Sequence, residues 1–554
     1  MFQRMINSKA KSVTFAAIIL FFSGVLSRIL ALFRDRLLAG NFGAGSELDV
    51  YFAAFRIPDF IYGIFILGGV STVFLPLFSE YFSKDSKRGW ELTNNVLNCF
   101  LFLLVLACSL FAVFTPFLIR IIVPGFDLEE REMAITLTRI MFFSPILLGI
   151  SSIFSGILHY FNRFLVYSLA PIFYNLGIIL GIVFLFPLFG IKGLAFGVIL
   201  GALFHLIIQF PAALASGFHY KPLFNFKYPG LTKMFKLMIP RTIGSAAYHL
   251  NLIVVTAIAS TLTVGSIAVF NFSYNLNYIP IGLIGIPFTL AVFPVLSRNF
   301  AKKEKEKFLC NFSSALKQII FLIIPASVMM FLLRAQIVRL ILGTGRFSWN
   351  DTRLTAACLG IFCFGIFAAA LVPFLSRVFY SLHNTKTPVK ISIFSIFFNI
   401  ILCFFFVWLF DTSEAFKDFW VGFLKLQGIE NIKIIALPLS LSIFSVLHSS
   451  LLLFNLKKKL GMIRGREIFL SFLKVISGTA FLILSTYFTL KVSALLFGTE
   501  TFLTVLIQAV SSFLVGGIVY VFSTSLLGSE EIKAIKNSVL KQFKKNISEE
   551  DNEY

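Results

Sequence analysis

The chain has 554 residues, of which 58% are hydrophobic and 13% charged. Its mean hydropathy of +0.90 excludes an ordinary water-soluble domain, whose core could not hide that much apolar side chain. A formal net charge of +22 raises nucleic acid as a partner. The cations, however, sit in short loops, and the 71 Phe lie largely inside apolar runs, so the basic face with interleaved aromatics that such a partner needs is missing.

Apolar runs recur along the chain at 13–33, 49–81, 95–122, 133–160, 165–187, 190–217, 232–262, 266–298, 309–341, 352–382, 387–410, 432–456, 467–495 and 501–527. Each reaches or exceeds the roughly 20 helical residues that cross a hydrocarbon core of about 30 Å. The fold class that follows is an all-α polytopic membrane protein of about 14 transmembrane helices. Arg4, Lys9 and Lys11 precede the first run as in a signal peptide, but no small-x-small cleavage pattern closes it, so it reads as a retained first helix. Cys99, Cys108, Cys310, Cys358, Cys363 and Cys403 fall within or beside apolar spans and suggest neither a disulfide framework nor a zinc site.

An even number of spans puts both termini on one side. With the N-terminus inside, inside segments hold roughly 28 Lys/Arg and outside segments roughly 7, which predicts cytoplasmic termini. The basic clusters at 84–88, 298–307, 457–466 and 533–545 are then cytoplasmic, and the acidic stretch 127–132 is external. The clusters act as topology determinants that touch anionic lipid. The polar end, 548–554, has the composition of a disordered tail.

The two halves share a parallel repeat. Val73-Phe74-Leu75-Pro76-Leu77-Phe78-Ser79 resembles Val292-Phe293-Pro294-Val295-Leu296-Ser297, Phe117-Leu118-Ile119-Arg120-Ile121-Ile122 resembles Gln336-Ile337-Val338-Arg339-Leu340-Ile341, and Asn175 pairs with Asn399. Such repeats predict two pseudo-symmetric lobes with a substrate cavity between them, as in alternating-access transporters. The predicted organisation is an N-terminal lobe at 1–220, a C-terminal lobe at 221–456, a helix pair at 457–527 and a cytoplasmic tail at 528–554.

Charges inside the apolar runs mark the candidate site, because a charge at a helix centre costs about 2.5–3.5 kcal/mol to insert. Arg28 interrupts the first run, Arg34 and Asp35 follow about two turns later, and Asp49 and Arg56 enter the second. Two readings stand for Arg28 and Arg56: pairing with Asp35 or Asp49 that orients helices, or a cavity that binds an anion. Arg suits a diphosphate because its planar fork donates paired hydrogen bonds. Snorkelling competes for Arg34 and Arg377, and Arg241 is a further candidate for a cavity wall. His205 and His249 read as packed histidines with satisfied hydrogen bonds. Pro58, Pro76, Pro145, Pro240, Pro280, Pro287, Pro294, Pro325 and Pro373 interrupt spans and free backbone carbonyls. No nucleophile–base pair, phosphate loop or metal-ligand motif stands out, so the chain reads as a transporter and not an enzyme.

Ser27-Arg28-Ile29-Leu30, Phe33-Arg34-Asp35, Phe42-Gly43-Ala44-Gly45, Asp49, Phe55-Arg56-Ile57-Pro58 and Phe74-Leu75-Pro76-Leu77-Phe78-Ser79-Glu80-Tyr81 resemble the opening of the MurJ (MviN) family. The likeness continues through Pro124-Gly125-Phe126, Asn162-Arg163-Phe164, Pro171, Asn175, Phe379-Tyr380 and Asn384-Thr385-Lys386-Thr387-Pro388-Val389. The resemblance implies the multidrug/oligosaccharidyl-lipid/polysaccharide exporter fold, a cationic central cavity, a groove on the last two helices for a polyprenyl tail, and export of lipid II. It carries over to Arg28, Arg34, Arg56, Asp35 and Asp49 as substrate-binding residues. Tyr62 or Gly63, Leu67 and the stretch Tyr274-Asn275-Leu276-Asn277 depart from the family pattern, where charged residues are usual, and Asn384 stands where many members have Asp. By position alone, Arg241 is the substitute for a missing cavity charge.

The expected function is therefore a lipid II flippase of the bacterial cytoplasmic membrane. Its partners would be the lipid-linked saccharide, membrane lipids and proteins of cell-wall synthesis. No cofactor is expected; a coupling cation or the membrane potential is left open. The alternatives are an exporter of another polyprenyl-linked saccharide, a cation-coupled drug antiporter of the same fold, and a membrane scaffold. Arginines in an apolar span argue against a scaffold, which has no need to meet their insertion cost.

Overall fold

The computed structural model describes residues 13–429, 432–461 and 464–532; within helices, the side chains at 13–18, 68, 69, 71, 72, 240 and 241 lie outside that description. Arg4, Lys9, Lys11 and the basic tail at 533–545 therefore lie outside the described residues, as does the Arg241 side chain. The described residues form helices and connecting turns without a strand. This follows from the solvent: hydrocarbon offers no partner for a peptide group, so each spanning segment must satisfy its own backbone as a helix. Thirteen described helical segments are long and apolar enough to cross a membrane, and a thirty-residue helix, α1 (Val13–Phe42), precedes them. Phe117, Phe397, Phe404, Phe488 and Phe522 are each more than half exposed, which suits lipid and not water as their neighbour.

Two compact units make up the chain, one of residues 1–271 and 341–351, the other of residues 272–340 and 352–554. The first unit begins with α1, which ends at Gly43, whose φ of +65° only glycine adopts without strain. The second predicted span is not one helix. It divides into α2 (Ser46–Ala54), α3 (Arg56–Ile61), a π segment (Tyr62–Val70) and α4 (Ser71–Lys84). Widened π turns redirect side chains and concentrate at functional positions.

The unit continues with α5 (Ser86–Ile122), α6 (Leu128–Met141), α7 (Phe143–Tyr160), α8 (Phe164–Leu180), α9 (Lys192–Leu214) and α10 (Pro229–Ser260). The predicted external turn at 127–132 is a helix start. Asp127 accepts from the Glu130 amide while Glu130 reaches back to the Asp127 amide, a reciprocal cap. Helices α8 and α9 cross closely because glycines face each other: a methyl group built on Gly177 would lie 2.4 Å from Gly201. In lipid, such small-residue seams replace the hydrophobic drive that water supplies elsewhere. Asn94 and Asn95 accept from the amides of Lys221 and Asn225 at 2.8 and 2.9 Å, pinning the segment between α9 and α10.

The second unit holds most of α11 (Ser266–Pro280), a π segment (Ile281–Gly285), α12 (Ile286–Ala301), α13 (Lys305–Leu332) and α14 (Arg334–Ile341). It continues through α15 (Trp349–Ser381), α16 (Lys386–Thr412), α17 (Glu414–Leu424), α18 (Ala436–Leu460), α19 (Gly465–Phe497) and α20 (Phe502–Leu526). The motif at 73–79 follows a π segment in α4, and the similar motif at 292–297 follows one in α12. Helix α17 lies where the sequence reading placed only a connection between spans. Ser413 caps it at Phe416, and its exposed Phe419 and Phe423 suit an interfacial helix. Asn384 donates to the Thr387 hydroxyl at 2.9 Å and accepts from the Thr387 amide at 3.2 Å, so it supports the first turn of α16.

Candidate functional site

The candidate site lies in the first unit and starts from α1. A guanidinium in a span must exchange its water for protein acceptors or retain a wet cavity. Arg34 does the former: Nε and one terminal nitrogen donate to Asp35 Oδ1 at 3.0 and 2.8 Å, and the other terminal nitrogen donates to Asn175 Oδ1 at 3.1 Å. Asp35 is buried and Arg34 half-buried. Asn175 in turn donates to the Pro171 carbonyl at 3.0 Å and to Ser27 Oγ at 3.5 Å, and Ser168 donates to Ser23 Oγ at 2.9 Å. Ser23, Ser27 and Arg34 thus meet α8, and Arg28, half-buried, sits beside Ser27 on the same helix.

Arg56 opens α3 and is buried at 8% exposure, which rules out snorkelling for this residue. Its Nε donates to Thr256 Oγ1 at 2.6 Å and a terminal nitrogen donates to Asn271 Oδ1 at 2.8 Å. Asp49 serves elsewhere. Its two carboxylate oxygens accept from the amides of Ala268 and Gly265, both at 2.7 Å, at the start of α11. A carboxylate there satisfies amides that the helix leaves unpaired and complements the positive end of its dipole. Asp35 pairs instead with its chain neighbour Arg34, a partner that the sequence reading, which set Asp35 and Asp49 against Arg28 and Arg56, did not raise.

Two positions that depart from the family pattern have local explanations. A methyl group on Gly63 would lie 2.0 Å from His249 Nε2, so the imidazole fills the place of a side chain. Tyr62 lines a partly open cavity of about 240 Å³ with Asp59, Ser144, Tyr174 and His205. Tyr174 is the chain neighbour of Asn175 in α8, which places this wall of the cavity beside the Arg34–Asn175 contact. The sequence reading did not single out Asp59, although an acid within an apolar run is the signal that marks it. The Thr256 and Asn271 acceptors, 200 and 215 positions from Arg56, carried no comparable signal.

Comparison with known proteins agrees along almost the whole chain. The profile of the family described as lipid II flippase MurJ matches residues 38–508. A probable lipid II flippase MurJ of Buchnera aphidicola subsp. Acyrthosiphon pisum is 29% identical over 509 residues, which is 91% of this chain and 95% of that protein. The corresponding protein of Buchnera aphidicola subsp. Baizongia pistaciae is 32% identical over 72% of this chain and 80% of its own length. A solved lipid II flippase MurJ in an inward closed conformation superposes with a TM-score of 0.73 at 26% identity, covering 92% of this chain and 98% of that one. An inward-facing multidrug transporter of the MATE family superposes at 0.59 with 17% identity, covering 80% of this chain and 99% of its own, a likeness of fold alone.

Proposed function

Because the chain belongs to the lipid II flippase MurJ family, we propose that it moves lipid II across the bacterial cytoplasmic membrane by alternating access. The observation that carries this reading is the match of sequence and fold over nearly the full length of a MurJ structure. The arginines supply the chemistry. Asn175 Oδ1 accepts from Arg34, Thr256 Oγ1 and Asn271 Oδ1 accept from Arg56, and Asp35 is a carboxylate partner of Arg34. A guanidinium has five N–H donors, and Arg34 directs three bonds to Asp35 and Asn175. A diphosphate competes for such donors with more charge than an asparagine or threonine oxygen offers, and each charge-assisted bond contributes about 1.5–3 kcal/mol.

In this reading Arg28, Arg34 and Arg56 bind the headgroup, Asp35 orients Arg34, and Asp49 holds the start of α11. Arg241 is an additional cavity cation by its position in sequence. The termini are cytoplasmic, supported by the Lys/Arg bias among loops, and transport needs no covalent chemistry from the chain.

The test is reconstitution into proteoliposomes with labelled polyprenyl-linked saccharides of defined headgroup. The wild-type protein moves lipid II between leaflets, and a folded variant with Arg28→Ala, Arg34→Ala and Arg56→Ala does not. Unchanged transport in that variant would leave the arginines structural. Movement of another lipid-linked saccharide, with lipid II left in place, would overturn the cargo assignment.

A further inference from the structure

The cavity beside the arginines contains a second, acidic feature. Asp59 lies three residues after Arg56, so both occupy one turn of α3. The Arg56 fork nevertheless points to Thr256 and Asn271. Asp59 feels Arg56 through space, and among the described residues no side chain donates a hydrogen bond to it. It is half-buried and lines the 240 Å³ cavity, whose other walls include Tyr62, Ser144, Tyr174 and His205 among apolar residues. A lone carboxylate at such a position is costly, because hydrocarbon and protein replace the water that would stabilise its charge.

We propose that this cavity is a monovalent-cation site in which Asp59 supplies the charge, occupied by Na⁺ or by a proton. Three features support the assignment. The cavity exceeds the roughly 30 Å³ that one water occupies in the liquid, so a cation can enter with part of its hydration. Tyr62, Tyr174 and Ser144 bring hydroxyl oxygens, the hard ligands that a cation of this type takes in preference to sulfur or nitrogen. His205 is committed on its other side: Nδ1 lies 2.7 Å from Ser151 Oγ, and Ser151 also donates to the His205 carbonyl at 3.1 Å. Gln209 also approaches Nδ1, at 3.3 Å, so the His205 ring is fixed as a wall of the cavity and the oxygen ligands are left to Asp59 and the hydroxyls.

The titratable or charged groups facing Asp59 are Arg56 and Tyr62 from its own segment, Tyr51 from α2, Tyr174 from α8 and His205 from α9. Because Tyr174 adjoins Asn175, the acceptor of Arg34, a change of charge at Asp59 is felt at the arginines. This gives a coupling cation a physical route to the headgroup site. The cation proposal does not rest on the identity of the cargo, since binding is read without lipid.

The experiment uses the full chain in detergent, followed by thermal unfolding at constant ionic strength. Exchange of choline for Na⁺ at pH 8 forms one arm, and lowering the pH from 8 to 5.5 in choline forms the other. Occupancy shows as a saturable rise in the wild-type midpoint of roughly a few degrees, absent in Asp59→Asn. A rise with Na⁺ identifies the metal ion, and a rise only at low pH identifies the proton. Direct ²²Na⁺ binding to the wild type, and the same scans on Tyr174→Phe, stand in if Asp59→Asn does not fold. A midpoint in the wild type that responds to neither cation, or responds equally in Asp59→Asn, overturns the proposal. Failure here with lipid II transport intact would leave the function standing, and the converse would leave the cation site standing.

Discussion

Asp49 offers a sharp test of whether an intramembrane acid holds the fold or the cargo. Its carboxylate is 4% exposed and takes two amide hydrogen bonds of 2.7 Å from Gly265 and Ala268. Asp49→Ala would leave both amides buried without a partner, each costing about 1–3 kcal/mol, so a loss of about 2–6 kcal/mol is expected. Asp49→Asn keeps one acceptor, turns an NH₂ group toward the second amide, and forfeits the interaction of the charge with the helix dipole. The expected loss is about 1.5–3 kcal/mol. Unfolding of detergent-solubilised variants, monitored by exposure of the buried cysteines to a thiol-reactive dye, measures both. The order expected is wild type, then Asn, then Ala. If both variants unfold like the wild type while headgroup binding collapses, the cap is not what Asp49 contributes, and it belongs with the substrate-binding residues.

Arg34→Lys keeps the charge but lacks the fork that spans Asp35 and Asn175, so lipid II affinity should fall about ten-fold with only partial rescue relative to Arg34→Ala. Equal affinities for wild type and Lys would refute a bidentate role. Gly345→Ala should destabilise the first unit by about 2–5 kcal/mol, combining a left-handed backbone with overpacking; its φ is +55°, and the added methyl would lie 2.2 Å from the Gly40 carbonyl oxygen. An unchanged unfolding midpoint would contradict that close approach. Lys305→Cys in intact cells should be protected from an impermeant thiol reagent, with accessible Cys310 replaced in the background; external labelling would reverse the orientation.

Much of this architecture was legible because lipid imposes a simple rule: long apolar runs must be helices. Helix interiors were harder. The break at Phe55, the π segment from Tyr62 to Val70 and the division of the fourth span at Phe142 depend on how neighbouring helices pack, which apolar composition does not encode. Helix α17 escaped notice because Lys417 and Asp418 lower the hydropathy of its run, although its Phe and Trp residues suit an interface. At the candidate site, the charged residues were visible by their cost in an apolar run. Their partners were not: Asn175 stood out only in the repeat and the family likeness, with no sign that it meets Arg34, and Thr256 and Asn271 are ordinary residues until the fold brings them to Arg56. Asp49 shows the limit most clearly: an intramembrane acid looks alike in sequence whether it meets a cation or two backbone amides.

The stretch 341–351 belongs to the first unit although the helices on both sides of it continue in the second. Gly40 accepts from the Arg346 amide at 2.8 Å, and Asp351 accepts from the Ala44 amide at 3.5 Å, so this stretch is fastened to the turn between α1 and α2. The boundaries at 271/272, 340/341 and 351/352 mean that no single cut in the gene separates two complete halves. A fragment ending at 271 would lack the residues that cover Gly40 and Gly43, while one beginning at 272 would carry them as an orphaned loop. Residues read early in synthesis must wait for a strap made some 300 positions later, which ties completion of the arginine-bearing half to the insertion of α14 and α15.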